Sequence, residues 1–515
     1  MNTKLYVTIL LKSEEFYMDV ETKLKQFREI SEKISAYRLA LTTLNWDSST
    51  IAPKKGASYR NKMAALLSGE LFSIETSPEF IALIDDLSAE TLDDITTREI
   101  REIKKNLDKS RYIPKEVFVE YAQLTRDAEN VWEAARDHQD YESFKPYLKK
   151  LIEMTKKVVS YRKDDRPVYE QLIDDFETGI TIADYDEFFN KLKVEIVPFL
   201  HKIIDKNVEK PAWLSRDVSI EQQRQVVEVL MEYLNYDKGS GYIGESAHPF
   251  SSHFSVHDNR VTVRYLQDMF TSSIFALIHE VGHATYNGQV DEAYQGRAIA
   301  DSMTYGMHES QSRLYENMLG RSKAFWTSIY PKVQGIADNL KDVSLDEFIQ
   351  GINHVELSLI RIEADELTYP LHIMVRYEIE QGLFNGTLDV EGLDKVWSDK
   401  YEEYLGIRPP HSGLGILQDI HWSGGAFGYF PTYALGSAYS AQWMSAMRKD
   451  IDVEKCLENN DFKSVNDWLK NHIHRHGGVY KPSELLLSVT GESFNPQHYI
   501  DYLKDKYSRL FDLSE

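Results

Sequence analysis

The chain has 515 residues, with 82 Asp and Glu against 59 Lys and Arg, and its formal net charge of −23 excludes a general affinity for nucleic acid or anionic membranes. Its one cysteine, Cys456, excludes an intramolecular disulfide and fits a reducing compartment, so the cytoplasm is the expected location. No apolar run approaches the length of a membrane span.

The opening stretch from Leu5 to Leu11 is broken by Thr8 and lacks a small-residue cleavage pattern, so residues 1–17 read as an extension outside the fold. From Leu24 the apolar positions Leu24, Phe27, Ile30, Ile34, Tyr37, Leu41 and Leu44 step by threes and fours, the mark of an amphipathic helix. Pro53-Lys54-Lys55-Gly56 ends it. Further helices are expected over Thr96 to Leu107, Lys115 to Asp137 and Tyr141 to Tyr161, which makes the first two hundred residues almost purely helical. A change of character near Pro211-Ala212-Trp213-Leu214 suggests an amino-terminal helical lobe over 18–215 and a catalytic lobe over 216–515. Phe254 to Val256 and Val261 to Tyr265, joined by His257-Asp258-Asn259, read as a small β-hairpin.

A helix is expected from Leu266 to Tyr286, stopped by Asn287-Gly288, and it carries His279-Glu280-Val281-Gly282-His283. Four residues are about one helical turn, so both histidines leave the same face and can share one tetrahedral cation, with Glu280 rotated about 100° and free to act on a metal-bound water. Ala276 and Ser272, one and two turns earlier, are small and leave that face open. Zinc then lacks one protein ligand. The next expected helix, from Ala298 to Leu319, offers Glu309, with the adjacent His308 as the competitor; neighbouring helical residues diverge too far for both to reach one ion.

A second dense region runs from Gly415 to Trp422 and on through Gly428-Tyr429-Phe430-Pro431-Thr432-Tyr433, where His421, Tyr429 and Tyr433 are candidate donors to a developing oxyanion. Their competing role is as core residues with satisfied hydrogen bonds. His472, His474 and His476 precede Gly477-Gly478 and read as the last turn of a helix, not as a metal site.

Taken with their order, these stretches resemble the carboxypeptidase Taq family of zinc metallocarboxypeptidases. The resemblance rests on His248-Pro249-Phe250, Asp258-Asn259-Arg260-Val261-Thr262, the 279–283 motif, His308-Glu309-Ser310-Gln311, Ile360-Arg361-Ile362-Glu363-Ala364-Asp365 and Gly415 to Trp422. Trp46-Asp47 with Pro53, Gly56 and Arg60, and Thr490-Gly491-Glu492, resemble the family's two ends. It implies a mainly α, two-lobed metallopeptidase fold with a deep central cleft, similar to angiotensin-converting enzyme and neurolysin, a small β-sheet beside the active helix, and a homodimer. It also implies zinc on His279, His283 and Glu309, one ion per subunit with cobalt as a substitute, and Glu280 as general base.

A carboxypeptidase must hold a free carboxylate, which a guanidinium fork does best, so Arg361 and Arg260 are the expected substrate anchors, with His248 and Gln418 in the same family stretches. Asp365 is the expected structural partner that would compete for Arg361. The leading function is removal of C-terminal residues from peptides with broad tolerance. An oligopeptide endopeptidase of the same fold and a non-catalytic helical peptide-binding protein are the alternatives.

Overall fold

The computed structural model describes residues 19–513, so the expected extension over 1–17 lies outside the described residues. Twenty α-helices and one three-stranded sheet form among them, the mainly helical fold expected from the sequence. They fall into two compact units.

The first unit holds α1 (Val20–Ser49), α2 (Ala57–Glu75), α3 (Pro78–Ser88) and α4 (Asp94–Asp108), with the short segment Gly296–Ile299. Asp19, Ser77 and Asp93 cap α1, α3 and α4, each side-chain oxygen accepting a backbone N–H three residues on. The stripe read from the sequence supplies Phe27 and Ile34 to a core with Phe80, Leu83, Ile84, Leu87, Ile100 and Leu107. Gly296–Ile299 belongs here because of Glu99. That carboxylate is wholly buried and accepts Nε and Nη2 of Arg297 at 3.0 and 2.7 Å, the backbone N–H of Ala298 at 3.0 Å and Nη1 of Arg28 at 2.7 Å.

The second unit starts after Arg111, so the expected boundary at 215 falls inside it. Ala212–Ser215 is a 3-10 turn whose Trp213 is buried against Phe270 and Phe348, ring centroids 6.3 and 5.3 Å away, and one apolar core continues on both sides of it. The unit begins with α5 (Lys115–His138), α6 (Tyr141–Val159), α7 (Val168–Asp174), α8 (Ile182–Ile204) and α9 (Ile220–Tyr233). The sheet follows, then α10 (Phe270–Gly288), α11 (Tyr305–Arg313), α12 (Lys323–Ile336), α13 (Leu345–Ile352), α14 (Tyr369–Asn385) and α15 (Leu393–Leu405). Last come α16 (Pro431–Asp450), α17 (Val453–Glu458), α18 (Phe462–His472), α19 (Pro482–Thr490) and α20 (Gln497–Leu510).

The hairpin is present as β2 (Ser251–Ser255) antiparallel to β3 (Asp258–Val263), with Ser251 opposite Val261. A third strand, β1 (Gly241–Glu245), pairs parallel to β3 and completes the order β1-β3-β2. It carries glycine at two of its five positions, a composition depleted in strands, and only the non-local partner β3 makes it one.

Two helices differ from expectation at their starts. Residues 266–269 precede α10 because Gln223 of α9 donates to the Leu266 carbonyl and the Gln267 carbonyl accepts the Val218 N–H, both at loop positions. Helix α11 starts at Tyr305, where the Thr304 side chain accepts the Met307 N–H as its cap. Beyond Arg313 it widens into a π-helical stretch, Leu314–Leu319.

Helices α10, α11 and α16 approach each other closely at two glycines. A Cβ on Gly282 would stand 2.8 Å from Gln311 O and Ser312 Cα of α11, and one on Gly436 would stand 2.7 Å from Cβ and Cγ of Glu309. That closeness lets side chains on separate helices share one ion.

Candidate metal centre

Helix α10 buries Ile274, Leu277, Ile278 and Val281, while Ser272, Ala276, His279 and His283 on its other face are only half-buried, the open face read from the small residues. Oε2 of Glu309, from α11, lies 3.8 Å from Nε2 of His279 and 3.6 Å from Nε2 of His283. Donors bonded to one tetrahedral zinc at ~2.0–2.1 Å stand roughly 3.4 Å apart, so these three fit such an ion with small adjustments. His308 is not the third donor, because it sits behind His283 with its Nδ1 2.6 Å from Nδ1 of that ring.

Each candidate ligand is backed by a partly buried side chain. Nδ1–H of His279 donates to Oε2 of Glu316 at 2.9 Å, an arrangement that fixes the tautomer and leaves Nε2 its lone pair. Arg313 joins two carboxylates, Nε to Oε1 of Glu309 at 2.7 Å and Nη1 to Oε2 of Glu316 at 3.2 Å. Burial alone would raise both acids, but the Arg313 and His279 charges and the hydrogen bonds they donate together outweigh it and hold each below the ordinary carboxylate range. Burial pushes the His308 imidazole down to about 4 and keeps it neutral near pH 7.

Glu280 is 8% exposed, and burial raises its carboxyl to about 7, opposed by the neighbouring His279 and by a hydrogen bond from Ser251 of β2. Tyr429, Thr432 and Tyr433 form a wall of a cavity of about 390 Å³ whose other lining includes His283, His308 and Glu309. The Tyr429 and Tyr433 rings lie edge to face, centroids 5.1 Å apart. His421 stacks on Tyr429 at 5.5 Å; burial lowers it to about 4, and its buried Nδ1 has no hydrogen-bond partner among the described residues. The three expected oxyanion donors are therefore one cluster, with both tyrosines beside the expected ligands.

The expected substrate anchors are placed differently from one another. Arg361 lies in a 3-10 turn, Arg361–Glu363, with its carbon Cζ 5.1 Å from the Tyr433 ring. Its Nη2 and Nε donate to Asp419 at 2.9 and 3.3 Å and its Nη1 to Tyr369. Asp419 also accepts from Arg376, so two guanidiniums share one carboxylate. Asp365 is not the partner of Arg361: its oxygens accept from Thr368, Leu367 and Glu356. Gln418 accepts the Arg361 backbone N–H at 3.0 Å and donates to the Leu359 carbonyl and Tyr401, so it shapes the Arg361 turn. Arg260, on β3, gives Nε and Nη2 to Asp258 at 2.8 and 2.7 Å, and His248 is exposed before β2.

The comparisons with known proteins bear on this constellation. Residues 26–507 match the carboxypeptidase Taq (M32) metallopeptidase family. The chain belongs to this family. Carboxypeptidase 1 of Bacillus subtilis is 40% identical over 96% of this chain and all of its own length, and thermostable carboxypeptidase 1 of Thermus thermophilus is 36% identical over 93% and 97%. The crystal structure of an M32 carboxypeptidase from Deinococcus radiodurans superposes with a TM-score of 0.92 at 30% identity, covering 96% of this chain and all of that one. This M32 protein is accordingly a metallocarboxypeptidase, with peptides as substrates and a divalent metal implied.

Sequence reasoning missed Glu316, Arg313 and Arg321, whose Nη2 lies 3.4 Å from Oε1 of Glu316. A signal was present in this M32 sequence: Glu316 follows Glu309 by seven residues, two helical turns, and so returns to the same face. In the histidine run near the carboxyl end, His472 closes α18 with Nδ1–H donated to the Trp468 carbonyl, and buried His474 is held between Gln289 and Gln311.

Proposed function

We propose that this peptidase holds one zinc ion per subunit, replaceable by cobalt, on His279, His283 and Glu309, and removes residues one at a time from peptide carboxyl ends with broad side-chain tolerance. The observation that carries the reading is the convergence of those three donors beside buried Glu280, at a cavity walled by Tyr429 and Tyr433. A bound divalent ion supplies Lewis acidity to a peptide carbonyl and acidifies water. Glu280 accepts the proton of the attacking water and returns it to the leaving amine. Tyr429, Tyr433 and His421 donate to the oxygen on which charge develops.

Recognition of the free carboxylate falls to the Arg361 cluster. Two guanidiniums on one carboxylate leave a net charge of about +1 behind Tyr433, which draws an anion toward that wall, whereas the Arg260–Asp258 pair is neutral. Gln418 supports this by fixing the Arg361 turn, and His248 is left as an outer contact of the peptide. The single cysteine supports a cytoplasmic setting, and the family resemblance supports a homodimer, which light scattering tests.

The test compares a peptide with a free carboxyl end and the same peptide amidated. Stepwise shortening of the free peptide alone is expected; equal cleavage of both would leave an endopeptidase of the same fold.

A further inference from the structure

The geometry points to His308 as the positioning residue of the second ligating histidine, setting the tautomer that frees Nε2 of His283 for the metal. This rests on the metal site proposed above and adds a residue that is neither ligand nor base.

The two ligating imidazoles are backed differently. His279 leans on a carboxylate, but Nδ1 of His283 faces Nδ1 of His308 at 2.6 Å. Two ring nitrogens at that distance share one proton: two N–H groups would clash, and two lone pairs would repel. Which ring owns the proton is decided at the far side of His308. There Nε2 lies 3.1 Å from Oδ1 of Asn287, an acceptor, so Nε2 carries the hydrogen. A neutral His308 protonated on Nε2 has a bare Nδ1, and the shared proton belongs to Nδ1 of His283. Nε2 of His283, the atom facing Glu309 at 3.6 Å, then keeps its lone pair.

The opposite assignment fails twice. It places a proton on Nε2 of His283, where the ion would sit, and sets a lone pair of His308 against the Asn287 oxygen. Asn287 is buried and stands one turn beyond His283 on α10, so the chain of hydrogen bonds leaves that helix and returns to it. Helix α11 thus provides both the third ligand, Glu309, and the residue beside it that prepares the second.

Zinc affinity, measured by competition with a chromophoric chelator, and the imidazole N–H proton of His283, observed by NMR in the zinc-loaded protein, test this. His308→Leu is expected to lose ~10–100-fold in zinc affinity and the N–H signal. His308→Gln, whose amide oxygen can accept from Nδ1–H, is expected to recover most of the affinity and keep the signal. Asn287→Leu retains His308 but removes its anchor, and is expected to weaken zinc binding as well. Zinc held by folded His308→Leu or Asn287→Leu as tightly as by the parent overturns the role of His308, as does a Gln variant no better than Leu. A parent chain that holds no zinc overturns both this inference and the metal site it rests on.

Discussion

At the scale of single residues, chemistry depends on which atom of a side chain is left available. Glu280 is one position from His279, a candidate metal donor, and lies in a buried place beside Ser251. That setting suits the proposed role of base. Glu280→Gln keeps the shape and removes the proton acceptor, so kcat is expected to fall ~10²–10⁴-fold with zinc content unchanged, measured by metal analysis beside turnover on a free-ended peptide. A variant that keeps zinc and the parental rate sinks the mechanism. The same distinction separates the arginines. Position in a family stretch nominated Arg361 and Arg260 alike, but their partners differ: Arg361 shares Asp419 with Arg376, and Arg260 has Asp258 to itself.

At the scale of elements, the site is a problem of bringing helices close. The three donors come from α10 and α11, and the approach of these helices is set where Gly282 meets the backbone of Gln311 and Ser312. A methyl group there cannot be absorbed by rotating a side chain, since the atoms it meets are backbone. Gly282→Ala is expected to cost ~1–3 kcal/mol in stability and to loosen zinc binding by separating His283 from Glu309. Urea unfolding and chelator competition measure the two effects, and an unchanged midpoint would mean that the helices tolerate separation. The π-helical stretch after α11 belongs to the same geometry: it follows Arg313 directly and carries Glu316 back beneath His279. The sequence conveyed the existence of these helices through their periodicity. The start of α10 was less legible, because Gln223 and Val218 fix it from another part of the chain.

At the scale of the whole molecule, the buried titratable groups set the response to acid. Burial holds the imidazoles of His372 and His474 down to about 3, against an ordinary value of 6.5, so the unfolded chain takes up protons below pH 6.5 that the fold refuses. Each contributes a loss of ~1.4 kcal/mol per pH unit as pH falls through that window. Two buried carboxyls act in the opposite direction. Burial raises Glu380 to about 7 and Asp365 to about 6, so the fold protonates them before the unfolded chain does, which adds stability as pH falls until about 4.5 and 3.8 respectively. His308 and His421, also held down to about 4 by burial, add to the histidine loss, so Tm of the metal-free protein is expected to fall as pH drops below 6.5, partly offset by the carboxyls, and more steeply below 4.5. There the histidine contribution continues, and the unfolded chain begins to protonate Asp419, which the fold keeps ionised because Arg376 and Arg361 hold its carboxyl below the ordinary range against its burial. Scanning calorimetry across pH 7.5 to 3.5 checks this, and a profile steepest above pH 5 contradicts it.

The sequence by itself determined the helical class and brought forward the candidate donors and the candidate base. The reason is that His279, Glu280 and His283 lie within one turn, where helix geometry alone fixes relative direction, and that apolar periodicity is a local property of the chain. For Glu309 the divergence of neighbouring helical residues left His308 as a competitor, and the family resemblance favoured the carboxylate. Tertiary structure alone decided what stands behind these residues. Strand β1 exists through β3, Arg361 turns to Asp419 fifty-eight positions away and not to nearby Asp365, Trp213 is core where a boundary was expected, and His279 and His283 find Glu316 and His308 on another element. Each of these is a pairing of buried groups whose alternatives are equally permitted by local sequence. Only the folded arrangement determines which partner is near enough to satisfy a desolvated charge or hydrogen bond.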